Sequence, residues 1–384
     1  MQNGNESASY RIGFILEQTL GHITHSQNLQ TNVLSDFSVD AHWGLLAWET
    51  VNLARHVPIY NSNWTIRAGL KARKIIAALH RRVGLDALFF HTQVPAVLST
   101  RWMQHIPSVV SLDATPLQYD RFGEFYAHAI APAWLERWKW ARHRACFCEA
   151  HHVVTWSEWA KQSLINEYEI PTKKITVIAP GVDTHQWTRH RRGQQHTQVI
   201  KILFVGADLE RKGGLLLLKA FRRLRHRSLC QPGGAAIELQ LHLVTRTKVP
   251  EEPGLFVYND MQPNSTPLKR LYSDSDIFCL PTYGDCFPMV LSEAAAAGLP
   301  VVSTRLAAIP EIVEDGETGF LIPAGDAQAL EAMLQRLIVD ADLRAQMSAR
   351  AAAVAGERFD AGCNTLRLLE LLKCVVDEAR NNRA

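Results

Sequence analysis

Short runs of apolar residues recur along this chain, separated by longer segments with helical periodicity, and this alternation strongly constrains the fold. The runs in the first half span residues 12–16, 87–90, 108–112, 152–155 and 175–178. Those in the second half span residues 200–205, 237–244, 277–280 and 301–304. Continuous apolar strands alternating with helices are typical of parallel sheets covered on both faces. We therefore predict an α/β fold made of doubly wound parallel sheets.

The chain length and a polar break predict two domains. A chain of 384 residues is too long for one ordinary hydrophobic core. A basic, polar stretch at 188–198 separates the two sets of strands and reads as a linker. We predict an N-terminal domain at 1–186, a linker at 187–198, a C-terminal domain at 199–360, and a last helix at 361–384 that can pack back on the N-terminal domain.

Composition excludes several classes of protein. Lys and Arg number 41 against 38 Asp and Glu, a net charge of +3, which gives no overall attraction to nucleic acid. The polar start of the sequence carries no secretory pattern, and no stretch approaches the roughly 18–20 apolar residues of a membrane span. Seven cysteines without framework spacing indicate reduced thiols. We predict a cytoplasmic protein without a nucleic-acid partner.

Two carboxylates stand out in the turn-rich segment 281–300, which connects two apolar strands. Asp285 precedes Glu293 by eight residues, and Glu293 falls in the first turns of an Ala-rich helix, where the helix dipole favours negative charge. Carboxylates accept paired hydrogen bonds from vicinal hydroxyls such as those of ribose or hexose. The alternative is an ordinary turn residue at 285 and a surface residue at 293.

A second loop in the same half has the character of a phosphate site. Gly206 ends a strand, Gly213 and Gly214 begin a helix, and Arg211 and Lys212 lie between them. Helix N-terminal amides, closely approaching glycine backbone and two cations together suit a diphosphate. The alternative is a glycine-rich turn with two solvated basic side chains.

Four segments resemble the family 4 glycosyltransferases, which are retaining enzymes of the GT-B fold. Residues 281–300 resemble the family's glutamate-seven-residues-glutamate signature and read PTYGDCFPMVLSEAAAAGLP. Residues 200–221 are similar to its strand, diphosphate loop and helix and read IKILFVGADLERKGGLLLLKAF. Similar stretches lie at 307–326 and 153–187. The resemblance implies two Rossmann-like domains facing across a cleft, the first binding the acceptor and the second a nucleotide-diphosphate sugar.

The resemblance also assigns roles to the residues of the donor site. It implies a UDP- or GDP-sugar as co-substrate and no obligatory metal or cofactor. The residues implied in diphosphate binding are Gly206, Arg211 and Lys212. Those implied in contacts with the donor sugar and ribose are Asp285, Cys286, Phe287 and Glu293, with amides near Cys286 and Phe287 assisting.

Three positions depart from the family pattern. The first acidic position carries Asp285, which is one methylene shorter than the usual Glu. Pro288 stands where the family often has Gly and cannot donate an amide proton. Ala207 replaces an Arg that often follows the strand-end glycine. These departures leave the transferred sugar open.

The N-terminal half offers candidates for the acceptor site and the reaction centre. Gly21 and His22 follow the first strand, and the resemblance implies that this loop lies against the donor phosphates and acceptor. Asp113 ends another strand where related enzymes frequently carry His; its carboxylate suits a sugar hydroxyl or general-base catalysis, and the alternative is a local turn. We take Asp113, His22 and Asp285 as catalytic candidates, with His91 as a weaker one.

The predicted reaction is transfer of a hexose to a hydroxyl of a glycan, lipid-linked or small-molecule acceptor with retention of anomeric configuration, in polysaccharide biosynthesis. The alternatives are a nucleotide-sugar epimerase, a phosphorylase and a non-catalytic sugar-nucleotide-binding module. A nicotinamide-dependent oxidoreductase would need G-x-G-x-x-G after a strand, which neither glycine loop supplies.

Two further patterns have simple structural interpretations. The His and Cys residues at 143–152 lack the spacing of a structural zinc site, so we predict no metal there. The basic helix at 65–82 and the Trp-rich basic stretch at 134–144 suit either packing within their own domain or peripheral contact with an anionic membrane face.

Overall fold

The computed structural model describes residues 10–19, 21–47, 64–123, 132–187, 199–227, 229 and 236–382, so the predicted linker lies outside the described residues except for Trp187, which ends a helix. The described residues form two compact units. The first contains those up to Arg121, those from Pro132 to Pro180 and those from Ala361 onward, and the second contains Phe122, Gly123 and those from Gly181 to Asp360.

The first unit is built on a parallel sheet. Its strands are β1 (Tyr10–Gln18), β2 (Val39–Ala47), β3 (Ala87–His91), β4 (Ser108–Leu112), β5 (His152–Thr155) and β6 (Ile175–Val177), in the spatial order β2-β1-β3-β4-β5-β6. Its described helices before residue 180 are α1 (His22–Val33), α2 (Trp64–Val83), α3 (Gln93–Ala96), α4 (Thr100–Met103), α5 (Pro116–Asp120), α6 (Ala133–Glu149) and α7 (Glu158–Tyr168).

The second unit repeats this architecture. Its strands are β7 (Val199–Val205), β8 (Glu238–Val244), β9 (Leu255–Tyr258), β10 (Ile277–Leu280), β11 (Val301–Thr304) and β12 (Gly319–Ile322), in the order β12-β11-β10-β7-β8-β9. Its helices are α8 (Thr184–Trp187), α9 (Gly214–His226), α10 (Thr266–Asp274), α11 (Met289–Ala296), α12 (Ile309–Ile312), α13 (Ala327–Val339) and α14 (Ala341–Arg358).

The prediction of doubly wound parallel sheets is confirmed. Every predicted apolar run forms a strand, and neighbouring strands pair in parallel within both sheets. The structure adds β2, β9 and β12, which the sequence did not reveal. All three lie at sheet edges.

The last helix, α15 (Ala361–Asn381), belongs to the first unit although it follows the second in sequence. Its buried side chains pack in one hydrophobic cluster with Ile12 and Phe14 of β1 and Leu29 of α1. Lys373 of α15 also donates to Asp36 at 2.5 Å. The first unit therefore closes its core with a helix from the far end of the chain.

The opposite face of the first sheet is covered by α2, α6 and α7. Ile76 of α2, Phe147 of α6 and Leu164 of α7 share a cluster with Ile15 and Phe90 of the strands. Along β1, Ile15 faces this cluster while Ile12 and Phe14 face the other, as the two-residue period of a strand requires. The basic helix α2 thus packs its apolar side within its own unit.

Parallel strands end at one edge of a sheet, so the loops after them come together. In the first unit this carboxyl edge carries Gly21, Thr92, Asp113 and Trp156 after β1, β3, β4 and β5. In the second it carries the turn at 206–213 after β7 and the loop at 281–288 after β10. No helix of the described part of the chain has the length and apolarity needed to cross a membrane.

Candidate functional site

The glycine turn after β7 is required by close packing against the loop after β10. Gly213 has φ +75, and a Cβ atom there would lie 1.9 Å from the Pro281 carbonyl oxygen. A Cβ at Gly214 would lie 2.2 Å from Leu209 Cδ1. Gly213 is also the N-cap of α9, which no side chain of the described residues caps. The turn therefore presents a helix N-terminus walled by backbone, an arrangement suited to an anion.

Arg211 and Lys212 connect this turn to the loop after β10. The Arg211 guanidinium donates through Nη1 to the Gly284 carbonyl at 2.7 Å, and the Arg211 carbonyl accepts from the Tyr283 amide at 2.9 Å. Lys212 Nζ forms an ion pair with the Asp285 carboxylate, and both side chains are largely buried. Three of the predicted donor-site residues, from segments more than seventy positions apart, therefore meet.

Glu293 lies on α11 and is 4% exposed, so it is not a surface residue. Burial raises the pKa of its carboxyl group to about 7, against the opposing effects of Tyr272 and Lys269. The Tyr272 hydroxyl donates to Glu293 Oε2 at 2.8 Å. Glu293 lies beyond the first turn of α11, where the helix dipole has little effect, so burial dominates and the site holds a carboxylate that is only partly ionised near neutral pH.

The neighbours of Glu293 were not found from the sequence. Tyr272 is fully buried on α10, and its ring contacts that of Trp187 edge-on at 4.9 Å. Lys269 Nζ lies 5.8 Å from the Trp187 ring centroid and donates to Gln186 at 2.5 Å. Tyr272 and Lys269 lie on α10, outside the segments that resemble the family, so no sequence signal linked them to Glu293.

The residues between the two carboxylates are also buried. Cys286 is 2% and Phe287 5% exposed, and the Cys286 carbonyl accepts from the Ala308 amide at 3.2 Å. Pro288 occupies the N-cap of α11, outside the helix proper, so its missing amide proton interrupts no helical hydrogen bond. The Pro-for-Gly departure is therefore compatible with the local backbone.

The first unit brings His22 and His91 together at the carboxyl edge of its sheet. His91 Nε2 and His22 Nδ1 lie 2.9 Å apart and share a hydrogen bond. His91 stacks on Trp156 with a centroid distance of 4.9 Å, and His25 contacts both rings. Burial lowers the pKa of His25 to about 3 and that of His91 well below its usual value. Both buried imidazoles are therefore neutral near pH 7.

Asp113 is 6% exposed at the end of β4. Tyr119 donates its hydroxyl to Asp113 Oδ2 at 2.6 Å, and the Ala114 amide donates to Oδ1 at 2.9 Å. Burial raises the pKa of the Asp113 carboxyl group, and the neighbouring His22 opposes this rise. Thr115, rather than Asp113, caps the helix that follows.

Two features of this edge were missed by sequence reasoning. Glu17, at the end of β1, is 4% exposed and accepts hydrogen bonds from Thr92 at 2.7 Å and from the Trp64 indole at 2.5 Å. A carboxylate at the end of an apolar strand was the available signal. His25 shares a helix face with His22 because they are three residues apart, which could also have been read from the sequence.

Gly21 differs from the glycines of the second unit. It is the N-cap of α1 with φ −65, and a Cβ atom there would meet nothing within 4 Å. The fold itself does not require glycine at this position, and open space lies in front of it. Among the described residues, no group of three or more His, Cys, Asp or Glu side chains is placed to hold a metal ion.

The protein contains two doubly wound parallel units. One of them has a glycine turn next to two cations and buried carboxylates. This combination is that of the GT-B class of glycosyltransferases. Residues 36–186 match the family model described as Glycosyltransferase Family 4, and residues 199–340 match that of Glycosyl transferases group 1. The chain belongs to the family 4 type of GT-B glycosyltransferases.

Curated relatives agree over part of their length. The chain is 31% identical over 220 residues to a putative colanic acid biosynthesis glycosyltransferase, WcaL, of Salmonella typhimurium, covering 53% of this chain and 52% of the relative. It is 35% identical over 177 residues to the amylovoran biosynthesis glycosyltransferase AmsK of Erwinia amylovora, covering 44% and 42%. The chain thus spans about half the length of the curated relatives it matches.

Solved structures show the same fold at low sequence identity. A glycosyltransferase of Rickettsia africae superposes with a TM-score of 0.69 at 16% identity, covering 96% of this chain and 99% of that one. Anabaena Alr3699/HepE, solved in complex with UDP-glucose, superposes with a TM-score of 0.65 at 16% identity, covering 95% and 99%.

Proposed function

We propose that this protein is a retaining hexosyltransferase that moves a sugar from a nucleotide-diphosphate donor to a hydroxyl group during polysaccharide biosynthesis. The convergence of Arg211, Lys212 and Asp285 on the glycine turn of the second unit is the observation that carries this proposal. The names of the colanic acid and amylovoran relatives support the polysaccharide context. The UDP-glucose complex of the Anabaena protein supports a nucleotide sugar as donor.

The donor diphosphate would occupy the N-terminus of α9. There Lys212 would exchange its ion pair with Asp285 for one with the phosphates, and Arg211 would remain tied to Gly284. Asp285, released from Lys212, would accept hydrogen bonds from hydroxyls of the donor sugar. The pairing observed between Lys212 and Asp285 keeps either charge from being buried alone before the donor binds.

Glu293 would bind the ribose of the donor. An ionised carboxylate accepts hydrogen bonds from two vicinal hydroxyls, and protonation turns one of its oxygens into a donor and weakens this contact. Because the pKa of Glu293 is about 7, donor affinity is expected to rise as pH increases through neutrality. The Tyr272 hydroxyl fixes the orientation of the carboxylate by donating to Oε2.

The chemical step breaks the bond between the anomeric carbon and the leaving phosphate oxygen, which takes the electron pair. The amides of residues 211–214 already donate within the turn, so Arg211, Lys212 and the first-turn amides of α9 after Gly214 would stabilise the charge that develops on the diphosphate. The acceptor hydroxyl forms the new bond and loses its proton. We assign the acceptor to the carboxyl edge of the first unit, with His22 at the open space beside Gly21 and Asp113 as candidate base.

We also propose that the acceptor is a glycan or a lipid-linked glycan met at a membrane surface. Exposed residues at helical spacing form one face of α6, namely Trp134, Arg137, Trp138 and Arg142. Trp134 is 66% and Trp138 53% exposed, and Arg142 lies over the Trp138 ring at 5.5 Å. Exposed indoles beside cations suit the interface of an anionic bilayer.

The proposal is tested first with a thermal-shift panel of UDP-, GDP-, ADP- and dTDP-sugars. One of them should raise the melting temperature by mass action, and the same sugar nucleotide should support transfer to an acceptor. Asp285→Ala and Glu293→Ala should lower transfer by at least about a hundredfold, because each removes a charge-assisted contact to the donor.

Glu251→Ala serves as the matched control, since Glu251 is an exposed carboxylate of the same unit. It should leave transfer unchanged. Full turnover in both the Asp285 and Glu293 variants would refute the site assignment, and the absence of any thermal response to the four nucleotides would refute the donor class.

A further inference from the structure

A groove of about 590 Å³ lies at the amino edge of the first unit's sheet, where β3 and β4 begin. Its apolar lining includes Leu85 and Ile106, which precede those strands, and Val376 of α15. The volume falls within the roughly 300–1,000 Å³ typical of small-molecule sites. β4 has five residues, so this edge lies about 15 Å from the carboxyl edge that holds His22 and Asp113.

The groove carries positive charge that its own carboxylate does not balance. Arg380 donates to Asp86 at 3.2 Å, and Arg11 donates to the same carboxylate at 2.9 Å. Arg73 of α2 and Arg101 of α4 also line the groove and are exposed. Within the described part of the chain, neither of these two guanidinium groups has an ion-pair partner. The groove thus offers two planar, unpaired guanidinium groups to an anion.

An aromatic wall accompanies these cations. Trp102 packs against the hydrophobic core of the first unit, which holds its ring in place, and the His80 ring contacts it edge-on at 5.8 Å. His80 Nδ1 accepts a hydrogen bond from the Leu85 amide at 3.1 Å, so the neutral imidazole carries its proton on Nε2 and has a donor left. The ring of a ligand can therefore lie against Trp102, with hydrogen-bond donors beside it.

We propose that this groove is a second ligand site, which binds a sugar phosphate. Arg73 and Arg101 would hold the phosphate, because guanidinium groups match its geometry and charge. The sugar ring would lie against Trp102 and the apolar lining. The bound group is held rather than reacted, because the groove lies at the opposite edge of the sheet from His22 and Asp113. The same chemistry, a phosphate on a polyhydroxylated ring, is offered by a free sugar phosphate and by the phosphoinositol headgroup of a lipid.

Calorimetric titration of the intact 384-residue chain, saturated with UDP to occupy the donor site, tests the proposal. Glucose 1-phosphate is the free probe, with glucose and inorganic phosphate as comparisons, and vesicles of phosphatidylcholine with and without phosphatidylinositol are the lipid probe. Arg73→Gln and Arg101→Gln should each weaken binding about tenfold or more, since each removes a charge-assisted contact. Lys74→Gln, on the exposed face of α2 outside the groove, should have no effect.

The two probes identify the source of the phosphate. Arg101-dependent binding of glucose 1-phosphate supports a soluble ligand, and Arg101-dependent binding of the phosphatidylinositol vesicles alone supports a lipid headgroup. Binding of neither probe, or equal binding by wild type and by both arginine variants, overturns the proposal. Arg73 and Arg101 are exposed, so both variants are expected to keep the wild-type melting temperature and to separate loss of binding from loss of fold.

Discussion

Ionisation of Glu293 lowers the stability of the folded protein, although the ionised carboxylate is the form that we propose binds the donor. Its pKa is about 7 in the folded protein and near 4.5 when exposed, so the folded state holds more protons than the unfolded state between these values. Stability therefore falls as pH rises from about 4.5 to 7 and carries the full cost of the buried charge above that. This cost to folding stability fits a carboxylate whose role is to bind the donor.

We expect Glu293→Gln to stabilise the protein above pH 7 by ~1–3 kcal/mol, because the neutral amide still accepts from Tyr272 and removes the buried charge. The gain should shrink as pH falls toward 5. Melting temperatures of wild type and variant measured from pH 5 to pH 8 check this. A constant difference across that range would show that Glu293 does not titrate as its burial indicates.

Alanine substitutions at Gly213 and Gly316 distinguish the cost of a positive φ from the cost of a steric clash. Both have positive φ, but a Cβ atom at Gly213 meets the Pro281 carbonyl whereas one at Gly316 meets nothing within 4 Å. Gly316→Ala should cost about 1–2 kcal/mol, and Gly213→Ala several times more, with loss of donor binding. Urea denaturation and nucleotide titration measure the two effects. Equal costs would mean that the turn after β7 can move away from the loop after β10.

At the scale of secondary structure, the sequence predicted every interior strand of the two sheets but only one of the four edge strands, β6. β4 and β10 are buried at every position, and their continuous apolar runs identified them. β2 and β9 have partly exposed residues because an edge strand has a neighbour on one side only, so their patterns are mixed. β12 is short and begins with a glycine. Strands with mostly apolar runs, including the edge strand β6, could be read from the sequence, and strands with mixed patterns could not.

The same reasoning explains which site residues could be predicted. Arg211, Lys212 and Asp285 follow apolar strands of one sheet, and parallel strands bring such loops together. Tyr272 lies within a helix, where only tertiary packing brings it to Glu293. Contacts that depend on loop order after strands could be anticipated, and those that depend on how a helix is rotated could not.

At the level of one helix, the proposed membrane contact of α6 can be tested by changing one of its exposed side chains. Trp138→Ser should weaken sedimentation with phosphatidylglycerol-containing vesicles several-fold, since an indole is removed from the proposed membrane face. Phe37→Ser is the matched control, because Phe37 is 97% exposed elsewhere in the same unit. An equal loss in both variants, or none in either, would argue against α6 as the contact.

At the scale of the whole molecule, we expect the second unit to fold on its own and the first unit to need a helix from the far end of the chain. The second unit is almost continuous from Gly181 to Asp360, whereas the first needs α15. Five buried side chains of α15 enter the first core, and these are Leu368, Leu369, Leu372, Val375 and Val376. At about 1.5–3 kcal/mol each they contribute on the order of 10 kcal/mol, comparable to the stability of a whole domain.

We therefore expect a fragment of residues 181–360 to fold and bind the donor nucleotide alone, and a fragment of residues 1–180 to remain unfolded. Circular dichroism and urea titration report both. Joining residues 361–384 to the 1–180 fragment through a flexible linker should restore cooperative unfolding. A cooperative transition in the 1–180 fragment without that helix would show that α15 is dispensable to the first unit.

The place of α15 in the first core also sets the order in which the units can be completed on the ribosome. Residues 361–381 are translated after the entire second unit, which takes roughly 10–40 s at ordinary elongation rates. During that interval the apolar residues of β1 and α1 that pack against α15 remain uncovered, while the second unit can already fold. The half of the protein made first is thus the half that matures last, and it is the half exposed longest to chaperones and to mispairing between nascent chains.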